Sequence, residues 1–271
     1  MTAQPARAAT AGVLPVVQYA TNAELGAAAA LEAADILRAA VAERGVANAI
    51  LATGNSQLTF LQAIADMPNV GHEAIPWDRV NLFHMDEYVN LPAGHSASFP
   101  AFLRRHLVDK VHPRAFFPVK AEGDAEAGCR EYEALLRQYP ADLTVMGIGE
   151  NGHLAFNDPP YAFFNDPVWV KVILLDERSR RQQVGEGHFS SLDEVPTHAV
   201  TVTIPALLAA KRVLVLVPET RKAEAVRASL LGPITEDCPG SILRQQPHAK
   251  LFLDAESAAL LPESLWKPEA A

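Results

Sequence analysis

The chain lacks several features that define whole classes of protein. It has only two cysteines, Cys129 and Cys238, in 271 residues, which argues against a disulfide framework and predicts reduced thiols in a cytoplasm. No apolar run approaches the roughly 18 residues of a membrane span. Lys and Arg number 23 against 32 Asp and Glu, a net charge of −9, which argues against nonspecific nucleic-acid binding. We therefore expect a cytoplasmic protein with no membrane and no nucleic-acid partner.

Metal-ligand spacing and domain linkers are missing as well. His84, Asp86 and His95 come closest to a ligand set, but a histidine in a buried strand such as His84 is more often a hydrogen-bonded core residue. We expect no metal and no cofactor. Without a repeat, charge block or Ser/Gly linker, residues 21–271 are predicted to form one domain. Residues 1–12 lack the apolar segment of a signal peptide, so residues 1–20 are expected to be a tail that is disordered in part.

Strand and helix patterns alternate along the chain. This alternation predicts an α/β fold, a doubly wound and largely parallel sheet with helices on both faces, as in Rossmann-like proteins. A helix is predicted from Asn22 to Arg44, because Thr21 and Glu24 have capping-box spacing and Gly45 follows the last turn. Further strands are predicted at 169–174, 200–204, 213–217 and 250–253, a helix at 122–139, and long loops that could form a lid at 90–98 and 159–167.

The stretch from Asp142 to Pro159, DLTVMGIGENGHLAFNDP, joins a short apolar strand to a glycine-rich turn. Ligands of α/β sheets bind in the loops beyond the carboxyl ends of strands, and the glycines allow a close backbone approach. His153 in this turn offers an imidazole, a group suited to acid/base chemistry near neutral pH. Its polar neighbours could fix its tautomer: Asn151, Asn157 and Asp158. On this motif alone, a surface histidine in a turn is the simpler interpretation.

A second strand, starting at Val80, runs into adjacent carboxylates. Successive side chains of an extended backbone alternate in direction, so Asp86 and Glu87 cannot both face a site. We expect Asp86 to face it and Glu87 to anchor the following loop, since a purely structural role suits Glu87 more readily.

A third segment is a strand, glycine loop and helix, beginning with NAILATGNS at Asn48 to Ser56. It would place four residues at a helix N-terminus, where free amides and the helix dipole favour an anion such as phosphate. These residues are Thr53, Gly54, Asn55 and Ser56. Ser and Asn also simply cap helices, so the loop alone leaves both interpretations open.

In this order, the three segments resemble the glucosamine-6-phosphate deaminase (isomerase) family, which shares its fold with 6-phosphogluconolactonases. The resemblance extends from about Thr21 to about Leu260. MDEY and GHLAFN are fairly specific to the deaminase branch, since lactonases tend to carry Asp-Glu-Arg and GHTAS-like words there. The motifs that carry it are LATGNS (51–56), MDEYVNLP (85–92), GIGENGHLAFNDP (147–159), VPTHAVTVT (195–203) and ETRKAEAV (219–226).

The resemblance implies an enzyme that converts a hexosamine 6-phosphate, by isomerisation and deamination, to fructose 6-phosphate and ammonia. Asp86 matches the base that moves a proton between C2 and C1 of the open-chain sugar, and His153 matches the group that opens the ring; both roles suit these side chains. Thr53 to Ser56 and Lys222 match the phosphate contacts, although Lys222 could also be an exposed helix lysine. Members are often homo-oligomers, commonly hexamers, and we expect a homo-oligomer here.

The chain departs from the family pattern around the histidine and the phosphate. Asn151 stands where many members have aspartate, and Asp158 where they have glutamate, so the carboxylate support of His153 is altered. Gln183 stands roughly where the family has a phosphate-binding arginine. Three nearby arginines are candidates to replace it: Arg178, Arg180 and Arg181. Two rival functions therefore stay open, a lactone hydrolase in which His153 activates water and a catalytically weak sugar-phosphate binding protein.

Overall fold

The computed structural model describes residues 4–68, 74–92, 94–185 and 187–266. Within these ranges the strands are β1 (Arg7–Ala11), β2 (Leu14–Gln18), β3 (Ala47–Leu51), β4 (Val80–His84), β5 (Asp86–Tyr88), β6 (Ala115–Phe117), β7 (Leu143–Met146), β8 (Val170–Leu174), β9 (His198–Val202), β10 (Arg212–Val217) and β11 (Ala249–Leu253). The helices are α1 (Asn22–Arg44), α2 (Leu58–Ala65), α3 (Phe99–Leu103), α4 (Asp109–Val111), α5 (Ala125–Gln138), α6 (Glu177–Gly185), α7 (Ile204–Leu208) and α8 (Ala223–Leu231).

Eight strands form the central sheet in the order β1-β2-β11-β10-β7-β3-β4-β6. The β1–β2 pair is antiparallel and the other neighbouring pairs are parallel. The chain leaves β3 towards β4 but leaves β7 towards β10, on the opposite side. The crevice between the carboxyl ends of β3 and β7 is therefore a topological switch point, where open α/β sheets bind ligands.

Both faces of the central sheet are buried. Along β10, Val213, Val215 and Val217 join the apolar core that contains α5 and α8, whereas Leu214 and Leu216 join the core under α1 and α2. A strand buried on both sides is expected to be continuously apolar, as RVLVLV is after its first residue. The predicted doubly wound fold is confirmed. No helix in the described ranges has both the length and the apolar character needed to cross a membrane.

Helix α1 has the predicted bounds because its caps are local. The Thr21 hydroxyl accepts a hydrogen bond from the Glu24 amide at 3.2 Å, and the Glu24 carboxylate accepts one from the Ala20 amide at 3.0 Å. Gly45 ends the helix in the left-handed conformation, with φ of 78°. A capping box followed by a C-terminal glycine thus fixes both ends.

A second, antiparallel sheet of order β5-β9-β8 lies beside the first. The strands predicted around 169–174 and 200–204 belong to this sheet and not to the parallel one. The chain leaves the central sheet at Met85, and β5 then pairs with β9 in a register that sets Asp86 opposite Thr201. Asp86 is thereby held at the junction of the two sheets.

Residues 7–18 of the predicted tail form regular structure. There β1 and β2 form a hairpin, and β2 pairs in parallel with β11 at the other end of the chain. Leu14 and Val16 are fully buried against the core, so these apolar residues stabilise the hairpin despite its Ala, Thr and Pro content. Residues 1–3 lie outside the described residues, and a single domain over 21–271 stays a prediction.

Candidate active site

A cavity of about 820 Å³, counted out to open solvent, lies at the carboxyl ends of the parallel strands. Seven residues predicted for the site line it together: Thr53, Gly54, Asn55, Ser56, Asp86, His153 and Lys222. The other two predicted residues, Asn151 and Asp158, contact the His153 side chain. The structure thus brings the whole predicted set to one place.

The loop after β3 presents backbone groups to the cavity. Gly54 has φ of 101°, a conformation that favours glycine, and it leads into a 3-10 turn (Asn55–Gln57) and then α2. No side chain caps this turn or α2 within the described structure. Simple helix capping, the alternative interpretation of these residues, therefore does not account for them, and the amides at this helix start suit an anion.

Lys222 reaches the same cavity from the other side of the switch point. It lies in a 3-10 turn (Thr220–Lys222) between β10 and α8, and only 4% of it is exposed. The alternative of an exposed helix lysine is therefore wrong. An ammonium group in a cavity wall carries the charge that suits an anionic ligand.

Asp86 faces the cavity and Glu87 faces away, as the alternation of side chains predicts. Burial, with a smaller contribution from the charge of Glu87, raises the pKa of Asp86 to about 8. The Glu87 carboxylate accepts hydrogen bonds from the Ser98 hydroxyl at 2.8 Å and the Phe99 amide at 3.2 Å. Glu87 therefore anchors the start of α3.

His84 holds the backbone of Asp86 in place. Its Nε2 lies 2.8 Å from the Val119 amide, which can only donate, so Nδ1 carries the proton and donates to the carbonyl oxygen of Asp86 at 2.9 Å. Burial lowers the pKa of His84 to about 4, which keeps the ring neutral. The predicted role of His84 as a hydrogen-bonded core residue is confirmed.

The pKa of Asp86 sets an expected pH dependence. A general base must be ionised, and a carboxyl group with a raised pKa becomes protonated as the pH falls through that value. We expect kcat/KM to fall tenfold per pH unit below about 8, where the pKa of Asp86 lies. Rates between pH 5 and pH 9 measure this limb. A profile that stays flat down to pH 5 would contradict the assignment of Asp86 as the base.

His153 is oriented by an amide and a carboxylate together. Its Nδ1 lies 2.7 Å from Oδ1 of Asn151 and 2.9 Å from Oδ1 of Asp158. The Asn151 amide is itself fixed, because its oxygen accepts from the His153 backbone amide and its nitrogen donates to Asp158 at 2.6 Å. Both atoms near Nδ1 are thus acceptors, so Nδ1 carries the proton and Nε2 is the acceptor of the neutral ring.

The altered residues therefore still give His153 a carboxylate. Asp158 is 2% exposed at its side chain and reaches Nδ1 although it is shorter than glutamate. The ring also lies against Gly149, where a Cβ would come within 2.1 Å of the imidazole carbon Cε1. Only glycine at this position leaves room for the imidazole, which explains one glycine of the turn.

Replacing Asn151 by aspartate is expected to shift the pH dependence of turnover to higher pH, because a second carboxylate then lies beside Nδ1 of His153. An aspartate at position 151 cannot donate the hydrogen bond that the amide of Asn151 donates to Asp158. Two carboxylates then lie near each other, which favours a positive charge on the imidazole between them. Turnover across pH 5–10 in both proteins measures the shift. If the profiles coincide, the charge at position 151 does not influence the step that His153 carries out.

Some cavity residues were not found from the sequence. Arg221 and His188 line the cavity with Gln183. Of the arginines considered as replacements, Arg180 donates to the carbonyl oxygens of Leu192 and Val195, and Arg181 pairs with Glu177; the side chain of Arg178 lies outside the described structure. The only sequence signal for Arg221 is its position next to Lys222.

The two loops considered as lids differ. Ser96 and Ala97, from the loop at 90–98, line the cavity. No residue of 159–167 lines it. Lys171 of β8 instead donates hydrogen bonds to Tyr161 and Asp166 of that loop. Nowhere in the described ranges are three His, Cys, Asp or Glu side chains grouped as a metal site would need.

Comparisons with known proteins identify the family of the chain. A family model described as glucosamine-6-phosphate isomerases/6-phosphogluconolactonase matches residues 20–253. A glucosamine-6-phosphate deaminase of Exiguobacterium sibiricum is 36% identical over 212 residues, 76% of this chain and 82% of the relative.

Solved structures also match the chain. A monomeric glucosamine-6-phosphate deaminase matches with a TM-score of 0.81 and 30% identity, covering 90% of this chain and 99% of the other. A 6-phosphogluconolactonase of Shewanella baltica matches with a TM-score of 0.72 and 21% identity over 89% of this chain and 97% of its own, a likeness of fold alone. The chain belongs to the glucosamine-6-phosphate isomerase/6-phosphogluconolactonase family.

Proposed function

We propose that this protein is a glucosamine-6-phosphate deaminase, which converts glucosamine 6-phosphate and water to fructose 6-phosphate and ammonia. One observation carries the proposal: a single cavity is lined by a buried carboxyl group, an oriented imidazole and a set of hydrogen-bond donors that suit phosphate. These are Asp86, His153, and the loop Thr53–Ser56 with Lys222. Relatives that carry this name are 34–36% identical to the chain.

Binding and ring opening come first. The phosphate is held by the amides of the loop after β3 and by the ammonium group of Lys222, which places the sugar ring towards His153. Nε2 of His153 accepts the proton of the C1 hydroxyl while the C1–O5 bond breaks, and the imidazolium then gives the proton to O5. Asp158 and Asn151 stabilise the transient imidazolium through Nδ1.

Isomerisation follows on the open-chain sugar. Asp86 removes the proton from C2 and returns it to C1, while O1 gains a proton and the C2 ammonium group loses one. The double bond thereby moves from C1–O1 to C2–N. Water then adds to C2 and ammonia leaves, so that the C2 ketone of fructose 6-phosphate remains. The pKa of about 8 makes Asp86 a stronger base than an exposed carboxylate, whose pKa is about 4.

The rivals are less well supported. Lactone hydrolysis needs an activated water but no base next to a carbon acid, so it leaves the cavity position of Asp86 unexplained. A binding protein needs no oriented histidine, yet the Nδ1 of His153 is held by two acceptors. The Asn151 departure, which suggested weak catalysis, leaves the carboxylate support in place.

We place the enzyme in the cytoplasm and retain the expectation of a homo-oligomer. Both cysteines are free thiols, in keeping with a reducing compartment. The solved relative at 30% identity is described as monomeric, so the oligomeric state requires sedimentation or light-scattering measurements on this protein.

A paired assay tests the proposed activity. The purified protein is given glucosamine 6-phosphate or 6-phosphogluconolactone at equal concentrations, and ammonia release or lactone loss is followed. We expect ammonia release to be faster than lactone hydrolysis by a factor of at least about 100, on the order of one general-base contribution. Faster lactone hydrolysis would favour the lactonase, and neither activity would favour a binding protein.

A further inference from the structure

Two adjacent cations follow β10 and both line the cavity: Arg221 and Lys222. Lys222 supplies one positive charge, whereas a phosphate monoester carries about −1.5 to −2 near neutral pH. Gln183 also lines the cavity but carries no charge. The charge of the phosphate therefore exceeds that of Lys222. Arg221 is a second cation in the cavity wall that could contact it.

The guanidinium of Arg221 is held by two glutamates. Its Nε donates to the Glu219 carboxylate at 2.6 Å, and Nη1 lies 3.3 Å from the Glu150 carboxylate. Glu150 belongs to the turn that carries His153. The described lining of the cavity includes Arg221 but neither glutamate, so the carboxylates hold the guanidinium from outside the cavity wall.

The backbone of Glu219 is strained. Its φ of 80° and ψ of 143° lie in a region that is otherwise nearly restricted to glycine. Both carboxylate oxygens of Asp254 accept a hydrogen bond from the Glu219 amide, at 3.2 and 3.1 Å, and Asp254 is buried. A glycine at position 219 would relieve the strain but would also remove the carboxylate that holds Arg221. Strained backbone conformations of this kind cluster at functional sites.

We propose that Arg221 contacts the substrate phosphate beside Lys222, and that Glu219 and Glu150 are positioning residues for its guanidinium. This inference rests on the proposed function, which places the phosphate at Lys222 and the Thr53–Ser56 loop. A guanidinium presents several donors in a fixed plane that match the oxygens of phosphate, and such charge-assisted hydrogen bonds are strong. Arg221 thus takes over the second cationic contact that Gln183 cannot make.

The variant Arg221→Gln tests the contact. We expect KM for glucosamine 6-phosphate and the calorimetric Kd for inorganic phosphate to rise about 10–100-fold, with kcat changed less than about threefold because the phosphate is remote from C1 and C2. Arg227→Gln, an exposed arginine on the adjoining α8, is the matched control and should leave both constants unchanged. An unchanged phosphate Kd in Arg221→Gln would overturn the inference.

The variant Glu219→Gly tests the positioning role. We expect KM to rise about 3–10-fold, less than the loss of the arginine itself, while the Tm is no lower than that of the wild type because glycine adopts this φ without strain. The double variant with Arg221→Gln should bind no more weakly than Arg221→Gln alone, since Glu219 acts through Arg221. Fully additive losses would show that Glu219 does not act in this way.

The two levels of proposal can fail separately. If the wild type releases no ammonia but phosphate binding still depends on Arg221, the proposed function is wrong and the anion contact stands. If ammonia release is normal in kcat and KM after Arg221→Gln, the inference fails and the proposed function stands.

Discussion

Replacing Asp86 by asparagine is expected to reduce turnover of glucosamine 6-phosphate by about 10²–10⁴-fold, the usual contribution of a general base. The amide preserves the shape of the side chain but cannot accept the C2 proton. Binding should persist, because the phosphate contacts lie on other segments, the loops that follow β3 and β10. Steady-state rates and the calorimetric Kd of glucosamine 6-phosphate separate the two effects.

The same variant is expected to melt at a higher temperature than the wild type at pH 8. The folded pKa of Asp86 lies near 8, above the ordinary value of 3.8, so the folded protein holds a proton that the unfolded chain loses. Stability from this group therefore falls as the pH rises from about 4 to 8, and asparagine removes that loss. Each 1 kcal/mol gained should raise Tm by roughly 2–4 °C.

A surface aspartate provides the control for both effects. Asp78 precedes β4 and has a side chain that is 78% exposed, so Asp78→Asn should change neither turnover nor melting appreciably. Near-normal turnover in Asp86→Asn would reject Asp86 as the base, whatever the melting temperature.

The second large effect is expected at Lys222. Replacement by alanine should raise KM for glucosamine 6-phosphate by about 10–100-fold, since a hydrogen bond between charged groups contributes about 1.5–3 kcal/mol. The effect on kcat at saturation should be much smaller, because an interaction made equally in the ground and transition states alters KM alone. Initial rates over a wide substrate range measure both constants.

Lys120→Ala is the matched control, since its side chain is 75% exposed. A melting curve shows whether removal of the buried lysine has left the fold intact. A folded Lys222→Ala protein with unchanged KM would remove Lys222 from the phosphate site.

The parts of the structure that could be predicted are those set by local physics. The bounds of α1 follow from Thr21, Glu24 and Gly45, each of which forms its capping hydrogen bond within four residues of itself. The opposite directions of Asp86 and Glu87 follow from the pleat of an extended backbone. The site itself could be located because strand ends with polar loops meet at one edge of a parallel sheet.

The parts that could not be predicted depend on partners distant in sequence. The hairpin at residues 7–18 is stabilised by pairing with β11, more than 200 residues away, and no local composition reveals that edge. The second sheet, likewise, is specified by which strands pair and not by their apolar patterns. The contact between Asp158 and His153 is close in sequence, but it depends on how the turn between them folds. Asn151 therefore suggested a loss of support that Asp158 in fact provides.

Arg221 shows the same principle at the level of a single side chain. Its neighbour Lys222 matches a phosphate contact of the family, but a guanidinium at the adjacent position could equally face solvent. The ion pair with Glu150, which lies 71 positions earlier in the chain, orients the Arg221 guanidinium towards the cavity wall. Such an ion pair is visible only once the two strand-end loops have been brought together.

The most direct test of this account is the stoichiometry of products from glucosamine 6-phosphate. Wild-type protein at pH 8 and its Asp86→Asn variant are incubated with the substrate, and ammonia and fructose 6-phosphate are quantified separately. The account predicts equal amounts of the two products from the wild type and almost none from the variant. It would be contradicted if the folded wild type binds the substrate but releases no ammonia, or if the variant forms both products at the wild-type rate.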